Sequence, residues 1–405
     1  MDRRKFLQNM MSAAAAGLAP SFGAARWVGA PSPDRVVVIG AGIVRCSVAW
    51  QLTRRGCEVT VIEASGPASR ASGHSFAWIN GGEAGQPEHY HQLRAHAMAE
   101  HRLMSHQLDW PVRWGGSLEW QADPAFDVGD QVRRMQQRGA EVRSITATAL
   151  KQIEPELIVP AATQLIFAER DGALDAGAAT RRLFESSLQM GAKAMMPARV
   201  NGLQAHAGVY VVSTDMGPVE AELVVVAAGV GSSAIARMVG MELPQRPTPG
   251  LILVTKPTAP TLRTVVYGPD VHIHQQNDGR IVIGEKGGPP ETHPHPQALA
   301  PKPGAFPEPA LASAHAARVL KMAKQQVPAL AEAELEHIGI GWRPLPMDGL
   351  PVVGRAHAHP GLYLAVMHSG ITLAPLIGRL AATEILDGVE VDLLSHYRPE
   401  RKRPL

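Results

Sequence analysis

Gly40-Ala41-Gly42 and Glu63 are the residues whose types and spacing most directly imply chemistry. Gly40 can make a tight turn, and Gly42 lets the backbone approach a pyrophosphate. A helix starting at Ile43 offers that anion free N–H groups and a partial positive charge. Glu63, roughly twenty residues further on, can accept hydrogen bonds from a ribose diol, and its charge repels a 2′-phosphate, which argues against NADP. Together these are the parts of a dinucleotide site. One residue departs from the pattern: Arg45 stands where a third glycine would let the helix lie close to the sheet. An arginine there is expected to push helix and sheet apart or to need an unusual exit.

Positioning these residues takes a strand, a turn, a helix and a second strand. Val36–Ile39 is a continuous β-branched run, as expected of a parallel strand buried on both faces. Residues 43–54 carry apolar side chains at 44, 48 and 52, which is helical spacing, and Gly56 ends that helix. Val59–Ile62 is the second strand. Two later strand ends point to the same place. Val219–Ala228 runs into AAGVGSS and brings Ala228 and Gly229 toward the pyrophosphate. Leu362–Val366 runs into His368-Ser369-Gly370, and a helix beginning at Ile371-Thr372 gives another N-terminus for an anion or a carbonyl oxygen. After Glu63, the segment 65–78 (SGPASRASGHSFAW) has the small residues, hydroxyls and single arginine of a loop that can wrap a diphosphate.

The rest of the chain sets bounds. It has 405 residues, 45% hydrophobic and 19% charged, enough for two or more domains with ample core. A net charge of +2 and 5% aromatics, without basic–aromatic interleaving, argue against a nucleic-acid partner. Met1–Ala25 carries Arg3-Arg4, Phe6-Leu7, a mildly apolar alanine stretch and small residues, and resembles a twin-arginine export signal. That stretch is far short of a membrane span. Residues 1–33 are therefore set outside the fold, and a periplasmic or exported location is expected. Cys46 and Cys57 flank one helix, too far apart to join, and read as small core residues.

Further elements are expected as a histidine-rich amphipathic helix over 86–108, a strand over 111–120, and a turn then helix over 171–189. Strands follow over 193–200, 208–214, 248–256, 265–275 and 280–284, with Asn277-Asp278-Gly279 as a hairpin turn. Helices are expected over 233–239 and 311–327, and an irregular proline-rich loop over 287–309. His272 and His274 alternate onto one strand face, but no third ligand is indicated, so no metal is assigned.

GAGIV with Glu63, the RASGHS loop, LVVVAAG, the Asp278-Gly279 hairpin, GWRP…DGLPVVG and HSGITLAP occur in one order over nearly all of residues 35–390. In this the chain resembles the FAD-dependent D-amino-acid oxidase superfamily, which includes glycine oxidase, sarcosine oxidase and D-amino-acid dehydrogenases. The resemblance implies an α/β fold: a Rossmann-type FAD-binding domain from separated segments (34–85, 150–240, 336–395) and a mixed or antiparallel-sheet substrate domain (86–149, 241–335). It implies FAD as cofactor, with Arg70, Ala71 and Ser72 at the diphosphate, Val200 at the adenine through its backbone, and Gly370, Ile371, Thr372 and Leu373 at the flavin's pyrimidine edge. It aligns Arg343 with the arginine that holds a substrate carboxylate, through two parallel hydrogen bonds. His272 and His368 are candidates to tune the amine's proton. His74 falls where some members carry a flavin-linking histidine, whereas the sarcosine-oxidase linking cysteine has no counterpart between Trp342 and Asp348. Glycine oxidase's extra arginine after the last strand is also missing, which puts glycine itself in doubt.

The expected reaction is oxidation of the C–N bond of an amino acid or N-alkyl amino acid. Hydride passes to the flavin, and the resulting imine hydrolyses. Oxygen or a quinone would then reoxidise the flavin. Two alternatives stand beside it: a 2-hydroxy-acid dehydrogenase of the same fold, and a non-catalytic member in which Arg45 impairs FAD binding.

Overall fold

The computed structural model describes residues 25–27, 29, 32–123, 125–206, 208–246, 248–286 and 309–401. Residues 1–24, all but the last of the segment expected to be an export signal, and most of the expected proline-rich loop, 287–308, lie outside the described residues.

A six-stranded sheet carries the glycine turn. Its strands run Lys193–Met195, Glu58–Ile62, Arg35–Ile39, Leu223–Val226, His359–Val366 and Val352–Ala356 in spatial order. All neighbours are parallel except the edge strand Val352–Ala356. The β-branched run explains the arrangement, because both faces are covered. Val36 and Val38 face one way, into the helices Ile43–Arg54, Ala176–Gln189 and Gly370–Asp387. Val37 and Ile39 face the other way, against the antiparallel meander Val200–His206, Val209–Thr214 and Val219–Ala221. The parallel order puts three strand ends, at Ile39, Val226 and Val366, side by side at one edge. Such an edge is where open α/β sheets bind ligands.

An eight-stranded mixed sheet forms the second body. Its order is Leu335–Arg343, Thr248–Thr255, Ile281–Glu285, Val271–Gln275, Val265–Tyr267, Ser117–Glu119, Gln164–Ala168 and Val142–Thr146. Only Val265–Tyr267 and Ser117–Glu119 pair in parallel. The helix Pro309–Gln326 packs its buried Ala316, Val319 and Ala323 on this sheet.

Several expected elements differ. Residues 111–120 are two short strands, Val112–Trp114 and Ser117–Glu119, in different sheets. Gly115 and Gly116 break them: a Cβ on Gly115 would lie 2.0 Å from the Arg263 carbonyl oxygen, and Gly116 has φ +81°. Residues 265–275 are a hairpin, not one strand, turned at Gly268-Pro269-Asp270. The expected strand 193–200 ends at Met195, ahead of Pro197, which has no N–H for a ladder. The expected boundaries at 150 and 336 do not follow the sheets. Gln164–Ala168 and Leu335–Arg343 belong to the eight-stranded sheet, held there by antiparallel ladders to Ser117–Glu119 and Thr248–Thr255. At the other end, Ala25–Trp27 pairs with Val389–Val391, so ordered structure begins before residue 34. The Asn277-Asp278-Gly279 turn joins two strands as expected, with Gly279 at φ +91°.

Candidate active site

At the end of Arg35–Ile39 the chain turns through Gly40, whose φ of +104° is open only to glycine without strain. The turn is pinned from Glu63, whose carboxylate accepts the Ala41 N–H at 2.7 Å and the Ser65 N–H at 2.9 Å. Ser72, from the loop after Glu63, accepts the Ile43 N–H at 3.0 Å and so caps the first helix from outside. Gly229, at φ +59°, arrives from the neighbouring strand end. Ala71, Ser72 and His74 line a cavity that opens from Gly42 and Ile43, while the Arg70 side chain is exposed. Ala228 and Val200 lie outside that lining; Val200 begins the meander two residues after Ala198, whose N–H binds the Glu63 carbonyl at 2.8 Å.

Arg45 takes the unusual exit. Its side chain folds back over the glycine turn, so that a Cβ on Gly40 would lie 2.1 Å from its Nη1 and 2.7 Å from its Cδ. Its Nη2 is 3.2 Å from the corresponding points on Gly42 and Gly229. Its ion pair is with Glu63, at 3.9 Å. The helix is not pushed off the core. Cys46, the next residue, is fully buried, and the helix meets the last helix closely enough that a Cβ on Gly378 would lie 2.1 Å from Ser47 Oγ.

The same cavity continues to the ends of the eight-stranded sheet. Arg343, the last residue of its strand, reaches in over Gly250 and donates from Nη2 to the Pro249 carbonyl at 3.2 Å. Its Nε is buried without a partner among the described residues. Among the described residues no carboxylate pairs with this guanidinium, and burial pushes its pKa down. Around it stand Tyr267, His272 and His368, all lining the cavity. The His272 ring stacks on Tyr267 at 5.6 Å and meets Phe76 edge-on at 4.1 Å. Burial, then the Arg343 charge, pushes His272 down to about 3 and His368 down to about 4. Burial pushes the Tyr267 phenol up to about 12. Both histidines are therefore neutral and the phenol keeps its proton at ordinary pH. His274, by contrast, binds the Phe76 carbonyl at 2.7 Å and holds that loop.

Gly370, Ile371 and Thr372 line the cavity at the start of the last helix, whereas Leu373 is buried beneath them in the core. This helix contains Pro375, which has no N–H to offer the Ile371 carbonyl one turn earlier. His101 supplies the missing donor. Trp110 Nε1–H donates to its Nδ1 at 3.0 Å, so Nε2 carries the proton and donates to the carbonyls of Ile371 and Thr372 at 3.0 and 3.1 Å. Leucine at 101 is expected to lower stability by about 1–3 kcal/mol, because it leaves buried polar groups unpaired. Urea unfolding of the His101→Leu variant measures this, and an unchanged midpoint would contradict it.

Three residues near the cavity were not marked from the sequence: Tyr267, Arg94 and Asp171. Arg94 Nε donates to the Asn80 carbonyl at 3.2 Å and Nη1 to Ser369 Oγ at 3.3 Å, tying the loop to the last strand end. Asp171 accepts from Trp78 Nε1 at 3.0 Å and Ser117 Oγ at 2.7 Å, and burial pushes it up to about 7. A buried arginine or aspartate inside a mixed pattern gives no local signal. The two cysteines are free and buried, and burial raises their thiols to about 12 (Cys46) and about 11 (Cys57), which leaves them inert as nucleophiles. No helix among the described residues is long and apolar enough to cross a membrane.

Three adjacent parallel-strand ends, two helix N-termini and a glutamate that pins the glycine turn define an open α/β fold of the kind that binds dinucleotides, with its cavity running on to a buried arginine. Comparison with known proteins narrows this class. Residues 35–384 match the family described as DAO, FAD dependent oxidoreductase, and the chain belongs to that family. It is 26% identical to an opine oxidase subunit of Agrobacterium tumefaciens, over 90% of this chain and 97% of that protein. It is 24% identical to glycine oxidase of Bacillus licheniformis, with the same coverage of each. The fold superimposes on crystal structures of glycine oxidase from Geobacillus kaustophilus (TM-score 0.79, 22% identity, 92% of this chain and 99% of that one) and L-proline dehydrogenase from P. horikoshii (0.77, 22%, 92% and 98%). The protein is an FAD-dependent oxidoreductase with an α/β fold. The chain's residues fit that cofactor: the glycine turn is walled by a movable side chain rather than by backbone, and both helix N-termini face one cavity.

Proposed function

We propose that the enzyme oxidises the C–N bond of an amino acid or N-alkyl amino acid. The observation that carries this is Arg343, a buried guanidinium in the cavity with no carboxylate partner among the described residues. A buried, uncompensated cation is costly and is relieved by an arriving anion, for which a carboxylate is the matching shape. The relatives named for glycine and opine oxidation support an amino-acid-like substrate.

FAD, when bound, supplies the hydride acceptor. Arg343 holds the carboxylate and so fixes the α-carbon's position, which is where most of the rate gain arises. Binding that carboxylate cancels the charge that helps depress His272 and His368, so both become better acceptors for the amine's proton. The Tyr267 phenol remains a donor, and Phe76 and Trp78 wall the cavity against water. The imine then hydrolyses in water. The Arg3-Arg4 segment supports export by the twin-arginine route, and loss of export in an Arg3→Lys, Arg4→Lys variant tests that.

A screen of D-, L- and N-methyl amino acids against matched 2-hydroxy acids, with an artificial electron acceptor, tests the reaction class. Turnover with an amine, releasing ammonia or a primary amine with a 2-oxo acid, is expected. Turnover confined to hydroxy acids would replace C–N by C–O oxidation.

A further inference from the structure

Arg45 is the feature that the fold and the proposed reaction leave unexplained. It sits over the three glycines that spare room for a diphosphate, with its Nη1 2.1 Å from where a Cβ of Gly40 would be and its Nη2 3.2 Å from those of Gly42 and Gly229. In this position the side chain covers the surface that a diphosphate must reach. Its hold there is weak. The Glu63 carboxylate is 3.9 Å away, and no hydrogen bond from the guanidinium forms among the described residues. Glu63 itself is already engaged by the Ala41 and Ser65 N–H groups. The obstacle is thus a flexible, charged, poorly tethered side chain in a site whose ligand carries opposite charge.

We propose that Arg45 is a displaceable occupant of the diphosphate cradle: its side chain must leave the place it holds over the glycines for FAD to load, and it becomes a counterion of the diphosphate once FAD is loaded. Two consequences follow from this one residue. Loading waits for the guanidinium to leave, because the competent state is only a fraction of the population. Release is slowed, because a charge-assisted contact must be broken. A simple plug would affect only loading, and a simple clamp only release.

The proposal rests on the FAD dependence of the family, and its test reads cofactor binding rather than turnover. Flavin is stripped from the wild type and from Arg45→Gly, Arg45→Met and Arg45→Lys variants by dialysis against concentrated bromide. FAD is then added in a stopped-flow instrument, with quenching of flavin fluorescence as the readout at low and high salt. The wild type is expected to load at a rate that levels off with FAD concentration. Arg45→Gly is expected to load on the order of tenfold faster without levelling off, to release FAD faster, and to lose most of the salt dependence of affinity. Arg45→Met keeps the bulk without the charge, so it should load slowly yet release quickly. Arg45→Lys, as the conservative replacement, should behave like the wild type and shows that substitution at 45 preserves the fold. Unchanged loading in Arg45→Gly overturns the proposal, and so does unchanged release. Failure of every variant and the wild type to take up FAD would overturn the cofactor assignment itself, a result distinct from either.

Discussion

Replacing Arg343 by methionine is expected to lower kcat/KM for the carboxylate-bearing substrate by about a hundredfold to a thousandfold. Methionine keeps an apolar stem of similar reach and removes only the charge and the fork of donors. Truncating one partner of a buried, hydrogen-bonded charge pair costs roughly 2–5 kcal/mol, and each 1.36 kcal/mol is about tenfold in rate. The loss should fall on KM and kcat together, since in the proposed reaction the carboxylate both anchors the substrate and fixes the reacting carbon. Lysine at 343 should recover only part, as a point charge cannot form two parallel bonds to a planar group. The folded enzyme should not suffer, because among the described residues Arg343 makes a single hydrogen bond, to the Pro249 carbonyl, and its removal relieves a buried charge. A variant that keeps wild-type kcat/KM would remove Arg343 from substrate binding. Parallel steady-state kinetics and thermal melting separate that outcome from unfolding.

The second large effect is acid lability. Burial holds His101 down to about 4, His272 to about 3, His274 to about 4 and His368 to about 4, all below their ordinary value of 6.5. In the unfolded chain each takes up a proton as pH falls through 6.5, and in the folded chain each does not until near 4. The unfolded state binds more protons in that window, so stability is fully present above about pH 6.5 and is lost as pH falls toward 4. Asp171, pushed up to about 7, works in the opposite direction, since its folded form gains a proton first. Glu100, Glu119 and Glu154 are also raised by burial and offset part of the loss near their own range. Four histidines outweigh one aspartate across this window. The net loss between about pH 7 and pH 5 is expected to be on the order of 4 kcal/mol. Urea unfolding at the two pH values measures it, and stability that stays level or rises on acidification would contradict the neutral, buried state of these rings.

The strand–turn–helix–strand unit of the candidate site was legible because its signals are local. Gly40, Gly42 and Glu63 lie within one strand–turn–helix–strand unit, and the β-branched runs at 36–39 and 223–226 announce buried parallel strands. The strand end at His368-Ser369-Gly370 was readable for the same reason. What the sequence did not disclose depends on contacts between distant residues. Arg94 meets Ser369 across 275 positions, and His101 meets Ile371 across 270. Pro375 shows in the sequence that one carbonyl lacks a donor, but nothing local says which side chain provides it. The single strands expected over 111–120 and 265–275 failed at Gly115-Gly116 and Gly268-Pro269. There hydrophobic alternation outlasted the turn residues that break the chain into different ladders. Arg45 could be flagged as a misfit from its position alone, while its folded-back path over Gly40 needed the third dimension.

In the reaction we propose, the flavin takes hydride from the carbon of a carboxylate-bearing amine held by Arg343. The most direct test is anaerobic mixing of the FAD-loaded enzyme with D-, L- and N-methyl amino acids while the flavin's visible absorption is followed. At least one of these amines should bleach the flavin, more slowly when its α-hydrogen is replaced by deuterium and far more slowly in the Arg343→Met variant. A flavin that stays oxidised with every amine, yet bleaches with a 2-hydroxy acid, would contradict the account.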